Sequence, residues 1–176
     1  PVQQITYSVL MDRHSLQAQI DSLTRLRGAT ECEISVLTRF DIPELAELSL
    51  AAYGIRPSIE ANSEATDEMR LCFDGVFGTP LEGSFLGGWI EGELIAAIIV
   101  VVDPPVEEPS GLPQVIDLMV HPKFRGRGIA TALVAECARR CKDWGASSLI
   151  VRIDEANVHL PQIYDIFQES ENSPTS

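Results

Sequence analysis

Two arginines alternate with two glycines at Arg125-Gly126-Arg127-Gly128. They follow the apolar segment Leu118-Met119-Val120 and precede a run that reads as a helix from Ile129. Glycine lets a backbone approach a ligand closely. The first N–H groups of a helix have no intrahelical partner, and the macrodipole adds positive potential at that end. Lys123, Arg125 and Arg127 add full charges. Such a turn can hold an anion, and a diphosphate is its natural guest. A Walker loop would need Gly-x-x-x-x-Gly-Lys-Ser/Thr, which is absent. A dinucleotide fingerprint would need Gly-x-Gly-x-x-Gly, but Gly126-Arg127-Gly128 runs into Ile129-Ala130-Thr131 with no third small residue in place.

The charge balance agrees with a small anionic ligand. Thirteen Lys and Arg stand against 26 Asp and Glu, a net charge of −13. Six of the thirteen basic residues fall between Lys123 and Lys142, a window holding a single acid, Glu136. One positive site on an acidic body suits a small polyanion and argues against nucleic acid. The longest apolar run, Leu94 to Val102, is too short to span a bilayer. The first residues lack the basic start and apolar stretch of a signal peptide, so a cytoplasmic protein is expected. Cys32, Cys72, Cys137 and Cys141 have neither disulfide-framework nor zinc-ligand spacing; buried thiols and no metal are expected.

Around the turn, the periodicity predicts one α/β or α+β domain. A helix is expected at 12–27, where Leu16, Ile20, Leu23 and Leu26 form a stripe that Gly28 ends. Residues 33–38 read as a strand. A helix then opens at Asp41-Ile42-Pro43-Glu44, a capping-box variant with proline in its first turn. Residues 54–62 read as a loop and 64–74 as a short polar helix, with breaks at Gly75, Gly78, Pro80 and Gly83. Strands Ser84–Ile90 and Leu94–Val102 flank a tight hairpin at Glu91-Gly92-Glu93. After a proline-rich loop come a strand at Gln114–Val120, a helix from Ile129 to about Trp144, a strand at Ser148–Ile153 and a helix from Asn157 to about Gln168.

The turn resembles the central motif of the GCN5-related N-acetyltransferase superfamily, Arg/Gln-x-x-Gly-x-Gly/Ala, here Arg125-Gly126-Arg127-Gly128-Ile129-Ala130. The surroundings resemble it too: the phrase Leu118-Met119-Val120-His121-Pro122 before it, then a long helix, a strand, Asn157 and Tyr164. The resemblance covers residues 33–168. It implies a mixed, mostly antiparallel sheet flanked by helices, with an extra N-terminal helix within 1–32, a shortened C-terminus and a frayed tail at 169–176.

The resemblance also implies roles. Acetyl-CoA as co-substrate would lie where the strands at 114–120 and 148–153 splay apart. Its pantetheine would pair with backbone at Leu118, Met119 and Val120. Its pyrophosphate would take the amides of Arg127, Gly128, Ile129 and Ala130, with the Arg125 side chain in support and Gly126 as part of the same cofactor site. Asn157 matches a position that hydrogen-bonds the pantetheine arm, and serves equally as a helix N-cap. Tyr164 matches the general acid that protonates the leaving thiolate, although a tyrosine beside Ile163 and Phe167 is also at home in a core. Asp117 is the candidate general base, with a structural or substrate-anchoring carboxylate as the alternative. Where other members carry a glutamate this chain has Gln114, and Glu82 and Glu91 are further candidates. His121 reads as a surface residue.

The expected function is therefore acetyl transfer to a primary amine of a small molecule or peptide, by direct attack in a ternary complex. The alternative is a non-catalytic acyl-CoA-binding regulatory or assembly module. Only Asp165–Ser176 remain after Tyr164, whereas the family adds two strands and a wall of the acceptor pocket beyond that helix. Ile5–Leu10 has strand character and is expected to pair beside the strand at 148–153, from the same chain or a second subunit. An exposed sheet edge favours a homodimer.

Overall fold

The computed structural model describes residues 6–12 and 32–154, with backbone alone at 6–12 and 152–154. The elements are β1 (Thr6–Asp12), β2 (Glu33–Val36), α1 (Ile42–Ala52), α2 (Ile59–Phe73), β3 (Thr79–Ile90), β4 (Glu93–Val102), β5 (Pro113–Val120), α3 (Ile129–Arg140) and β6 (Ser148–Asp154). Among the described residues one sheet runs β1-β6-β5-β4-β3-β2. Every neighbouring pair is antiparallel except β5 and β6, which are parallel. Of the helix expected at 12–27, Asp12 instead ends β1 and residues 13–27 lie outside the described residues, as do the helix from Asn157 and the tail at 169–176.

Helices cover both faces of the sheet. On one face, Leu133, Val134, Cys137 and Ala138 of α3 pack on Leu86, Ile98, Val100 and Val115. On the other, Leu45 and Leu48 of α1 and Ala65 and Met69 of α2 pack on Phe85, Ala97, Ile99, Val101 and Met119. Buried on both sides, β4 reads as a continuous apolar run and not as an alternation. Its hairpin to β3 closes on Glu91 (φ 51°) and Gly92 (φ 81°), the left-handed pair that two-residue hairpins favour. Glu93, expected in the turn, is already paired with Ile90.

Several boundaries move for physical reasons. α2 begins at Ile59, inside the segment expected to be a loop, because the Ser58 side chain accepts from the Ala61 N–H at 3.0 Å and caps the helix. Asp41 precedes α1 as expected, but its carboxylate turns back to the Thr38 N–H at 2.8 Å and leaves α1 without a side-chain cap. β3 begins at Thr79 despite Pro80 and Gly83; a register shift between Pro80 and Phe85 absorbs them. There Ser84, buried, donates to Val100 O and accepts from Leu81 N. α3 ends at Arg140, and the chain turns on to Trp144, whose N–H still reaches Arg140 O at 3.1 Å and whose indole N–H reaches Glu82 O at 2.8 Å.

The expected pairing of the N-terminal strand is present within the chain: β1 lies antiparallel to β6, from Thr6 opposite Asp154 to Asp12 opposite Ser148.

Candidate functional site

β5 opens the site. It pairs with β6 only at Gln114 and Val115. On its other side Ile99 faces Asp117 and Val100 faces Val115, so Ile116 is an extra, unopposed residue. Bulges bend a strand and end its pairing; beyond this one, β5 and β6 part. His121 N–H donates to Ile95 O at 2.8 Å, which fixes the alternation. Met119 therefore turns its N–H and C=O to β4, while Leu118 and Val120 turn theirs to the open edge. Of the three strand residues expected at the cofactor, Leu118 and Val120 present backbone to that edge. Met119 does not: its side chain is buried in the α1–α2 face and its backbone pairs with β4.

The loop after β5 carries the cradle. Gly126 and Gly128 both adopt φ 77°. Gly128 is the N-cap of α3, supplies no side-chain cap, and is followed by no acid in the first turn. Its carbonyl takes the first helical bond, from Ala132 N–H at 3.0 Å, so the amides of Ile129, Ala130 and Thr131 precede the hydrogen-bonded ladder. Ile129 and Ala130 bury their side chains and anchor this end to the core. A Cβ added at Gly126 or Gly128 would meet no atom within 4 Å. A backbone that needs left-handed residues, has room above it and ends on unpaired amides fits a diphosphate.

The cationic side chains divide their work. Arg127 lies over the Phe124 ring, 5.1 Å from its centroid, and is exposed. The Arg125 guanidinium, expected at the pyrophosphate, is used on backbone instead: Nη2 donates to Ala52 O at 2.6 Å and Nε to Val120 O at 3.2 Å. Ala52 ends α1, and a helix C-terminus is where spare carbonyls and negative potential attract a guanidinium. His121, partly exposed, caps a short turn by accepting Lys123 N–H on Nδ1 at 3.2 Å.

Asp117 faces the α1–α2 side of β5. Its Oδ1 accepts a hydrogen bond from the Tyr53 hydroxyl, a partner that strand periodicity could not reveal. Burial raises the Asp117 carboxyl above the usual carboxylate range. The Tyr53 hydrogen bond opposes the rise, the Glu68 charge adds to it, and the Leu118 N–H holds it down. Burial, then the Asp117 charge, pushes the Tyr53 hydroxyl upward. Burial, with Asp117 and Glu68, pushes the Cys72 thiol up to about 12. Cys72, Cys137 and Cys141 are buried and form no disulfide. Gln114 is buried away from the open edge, its amide donating to Glu107 at 3.3 Å. Glu91 lies in the β3–β4 turn, and Glu82 gives its carbonyl to Trp144. Asn157 and Tyr164 lie outside the described residues.

Among the described residues no His, Cys, Asp and Glu group could hold a metal ion. No helix among them is long and apolar enough to cross a membrane.

Known proteins share this frame. A Pyrococcus horikoshii OT3 protein superposes with TM-score 0.62 at 17% identity, covering 78% of this chain and 87% of its own. The PaiA N-acetyltransferase from Thermoplasma acidophilum, solved in complex with coenzyme A, gives 0.56 at 16% identity, covering 77% and 87%. A ribosomal-protein-alanine N-acetyltransferase from Brucella melitensis biovar Abortus 2308 gives 0.50 at 26% identity, covering 68% and 79%. Among curated proteins nothing matches. The family model for the GNAT acetyltransferases matches residues 43–165, more than half of the chain and inclusive of Asn157 and Tyr164. The chain with this open strand edge and glycine-bounded helix end belongs to the GNAT acetyltransferase family.

Proposed function

We propose that the protein transfers an acetyl group from acetyl-CoA, the family's co-substrate, to a primary amine of a small molecule or peptide. The observation that carries this reading is the continuity of two binding surfaces: the edge of β5 at Leu118 and the Val120 N–H, which β6 does not pair, leads directly into the amides of Ile129, Ala130 and Thr131 ahead of the helical ladder. The edge offers pantetheine the partner that β6 withdraws, and the helix end offers the pyrophosphate a cradle.

The amine attacks the thioester carbonyl directly within a ternary complex; the new C–N bond forms as the C–S bond breaks. The Val120 N–H is the donor for the developing oxyanion. Asp117, directly or through a water, takes the proton of the attacking amine. Tyr164, as in the family, returns a proton to the departing thiolate, and Asn157 holds the pantetheine arm. A carboxyl raised by burial is a stronger base than an ordinary aspartate once ionised. The acidic body, net −13, favours the approach of a cationic acceptor.

Thermal unfolding with and without acetyl-CoA tests the binding half, with NADH and ATP as controls. At 100 times its dissociation constant a ligand stabilises a fold by about 2.7 kcal/mol. A rise of several degrees with acetyl-CoA alone is expected, followed by amine-dependent release of free thiol. No rise would remove the cradle. A rise with no thiol release from any amine would favour the acyl-CoA-binding module.

A further inference from the structure

Tyr53 stands at the C-cap of α1, its N–H returning to Ser49 O at 3.1 Å. The last turn of α1 carries no basic side chain, so its spare carbonyls need a donor from elsewhere. Arg125 supplies it, bonding Ala52 O while also bonding Val120 O. The Tyr53 hydroxyl, one residue further on, bonds Asp117. The end of α1 is thus fastened to β5 twice, once through the first residue of the cradle motif and once through the carboxylate. Tyr53 is 52% exposed, so its ring is not there to fill the core.

We infer that Tyr53 is a positioning residue for the base: its hydroxyl holds Asp117 Oδ1 and leaves Oδ2 to take the amine proton, while Arg125 holds Tyr53 in place through Ala52. The inference rests on the reading of Asp117 as the base. A carboxylate free to rotate presents its basic oxygen to the amine only part of the time. One oxygen tied by a donor confines it to a single orientation. Arg125 gains a role at the same time. It links the loop that holds the diphosphate to the helix end that orients the base, so both half-sites are built on one frame.

The groups that face Asp117 are Tyr53 from α1 and Glu68 and Cys72 from α2. Tyr53 is the side chain among them whose donation favours the ionised carboxylate, whereas Glu68 opposes it. Its removal therefore moves the Asp117 titration to higher pH, and the acidic limb of kcat/KM moves with it.

Tyr53→Phe keeps the ring and removes the hydroxyl. Three quantities decide the matter: the carboxyl 13C titration of Asp117 in the ligand-free protein, the dissociation constant of acetyl-CoA, and the pH profile of amine acetylation. Hydrogen bonds to charged groups are worth enough that kcat should fall about tenfold to a hundredfold. The titration and the acidic limb should move upward together, with acetyl-CoA affinity unchanged. Arg125→Met should lower kcat in the same direction, whether or not acetyl-CoA affinity changes with it. A wild-type titration and wild-type rate in Tyr53→Phe, beside an inactive Asp117→Asn, would overturn the role of Tyr53 and leave the base in place. Full turnover by Asp117→Asn would instead overturn the reading beneath it. If Arg125→Met loses acetyl-CoA affinity and not kcat, the guanidinium serves the phosphate and the strap is wrong.

Discussion

Gly128→Glu is expected to abolish acetyl-CoA binding while the fold survives. Two effects act at the ligand. The carboxylate places a negative charge at the helix end where the diphosphate needs positive potential. The side chain also enters space in which a Cβ meets no protein atom. A third effect is conformational, since a non-glycine residue at φ 77° costs about 1–2 kcal/mol. Gly128→Asn separates them: asparagine tolerates the left-handed region and carries no charge. Calorimetric titration with acetyl-CoA should show no heat of binding for Gly128→Glu and weakened binding for Gly128→Asn, both with a cooperative thermal transition. Retained affinity in Gly128→Glu would move the diphosphate away from this helix end.

Asp117→Asn is expected to cost about a hundredfold or more in turnover, the range of general-base catalysis, without lowering the thermal midpoint at neutral pH. The sign follows from linkage. The carboxyl of Asp117 is raised in the folded protein, so folding favours its protonated form. Stability from this group is present below the unfolded pKa and is lost as pH rises through the folded value. Above the folded value the ionised carboxylate is a burden that catalysis imposes, and asparagine, which can still accept from Tyr53, relieves it. A carboxylate with a purely structural task would behave in the opposite way, losing midpoint and keeping rate. Rate and midpoint measured on the same variant therefore discriminate between the two roles.

Much of this site was legible in the sequence because its parts are local. An Arg-Gly-Arg-Gly turn between an apolar strand and a helix is contiguous, and its chemistry follows from backbone conformation and charge. Leu118, Met119 and Val120 came from the family resemblance alone, and the two-residue alternation that turns Met119 to β4 depends on the register with that strand. The bulge at Ile116 was not legible, since no local residue type marks it and only the pairing of Ile99 and Val100 reveals it. Tyr53 was out of reach because its partner is 64 positions away. The start of α2 carried a usable signal in Ser58, a capping residue before Ile59-Glu60-Ala61, that was outweighed by Gly54 and Pro57. The guanidinium of Arg125 shows the limit of charge counting: a cation beside a phosphate cradle also bonds two backbone carbonyls, Ala52 O at the end of α1 and Val120 O on β5.

The pairing of β1 with β6 joins residues more than 130 positions apart in sequence. Loop closure over such a span carries the largest entropic cost of any strand pairing among the described residues, and pairings of this kind form late in folding. β6 is one arm of the V in which the co-substrate would lie, and it is flanked by this late pairing on one side and by only two paired residues of β5 on the other. The arm is therefore held by fewer pairs than β4, which is paired along both sides, and it opens more readily than that strand. Amide hydrogen exchange should reach Ser148–Asp154 before it reaches β4, and acetyl-CoA should slow it there most. On the proposed reading, the acetyl donor is the clasp that completes the sheet, and its supply would set how long that edge stays closed.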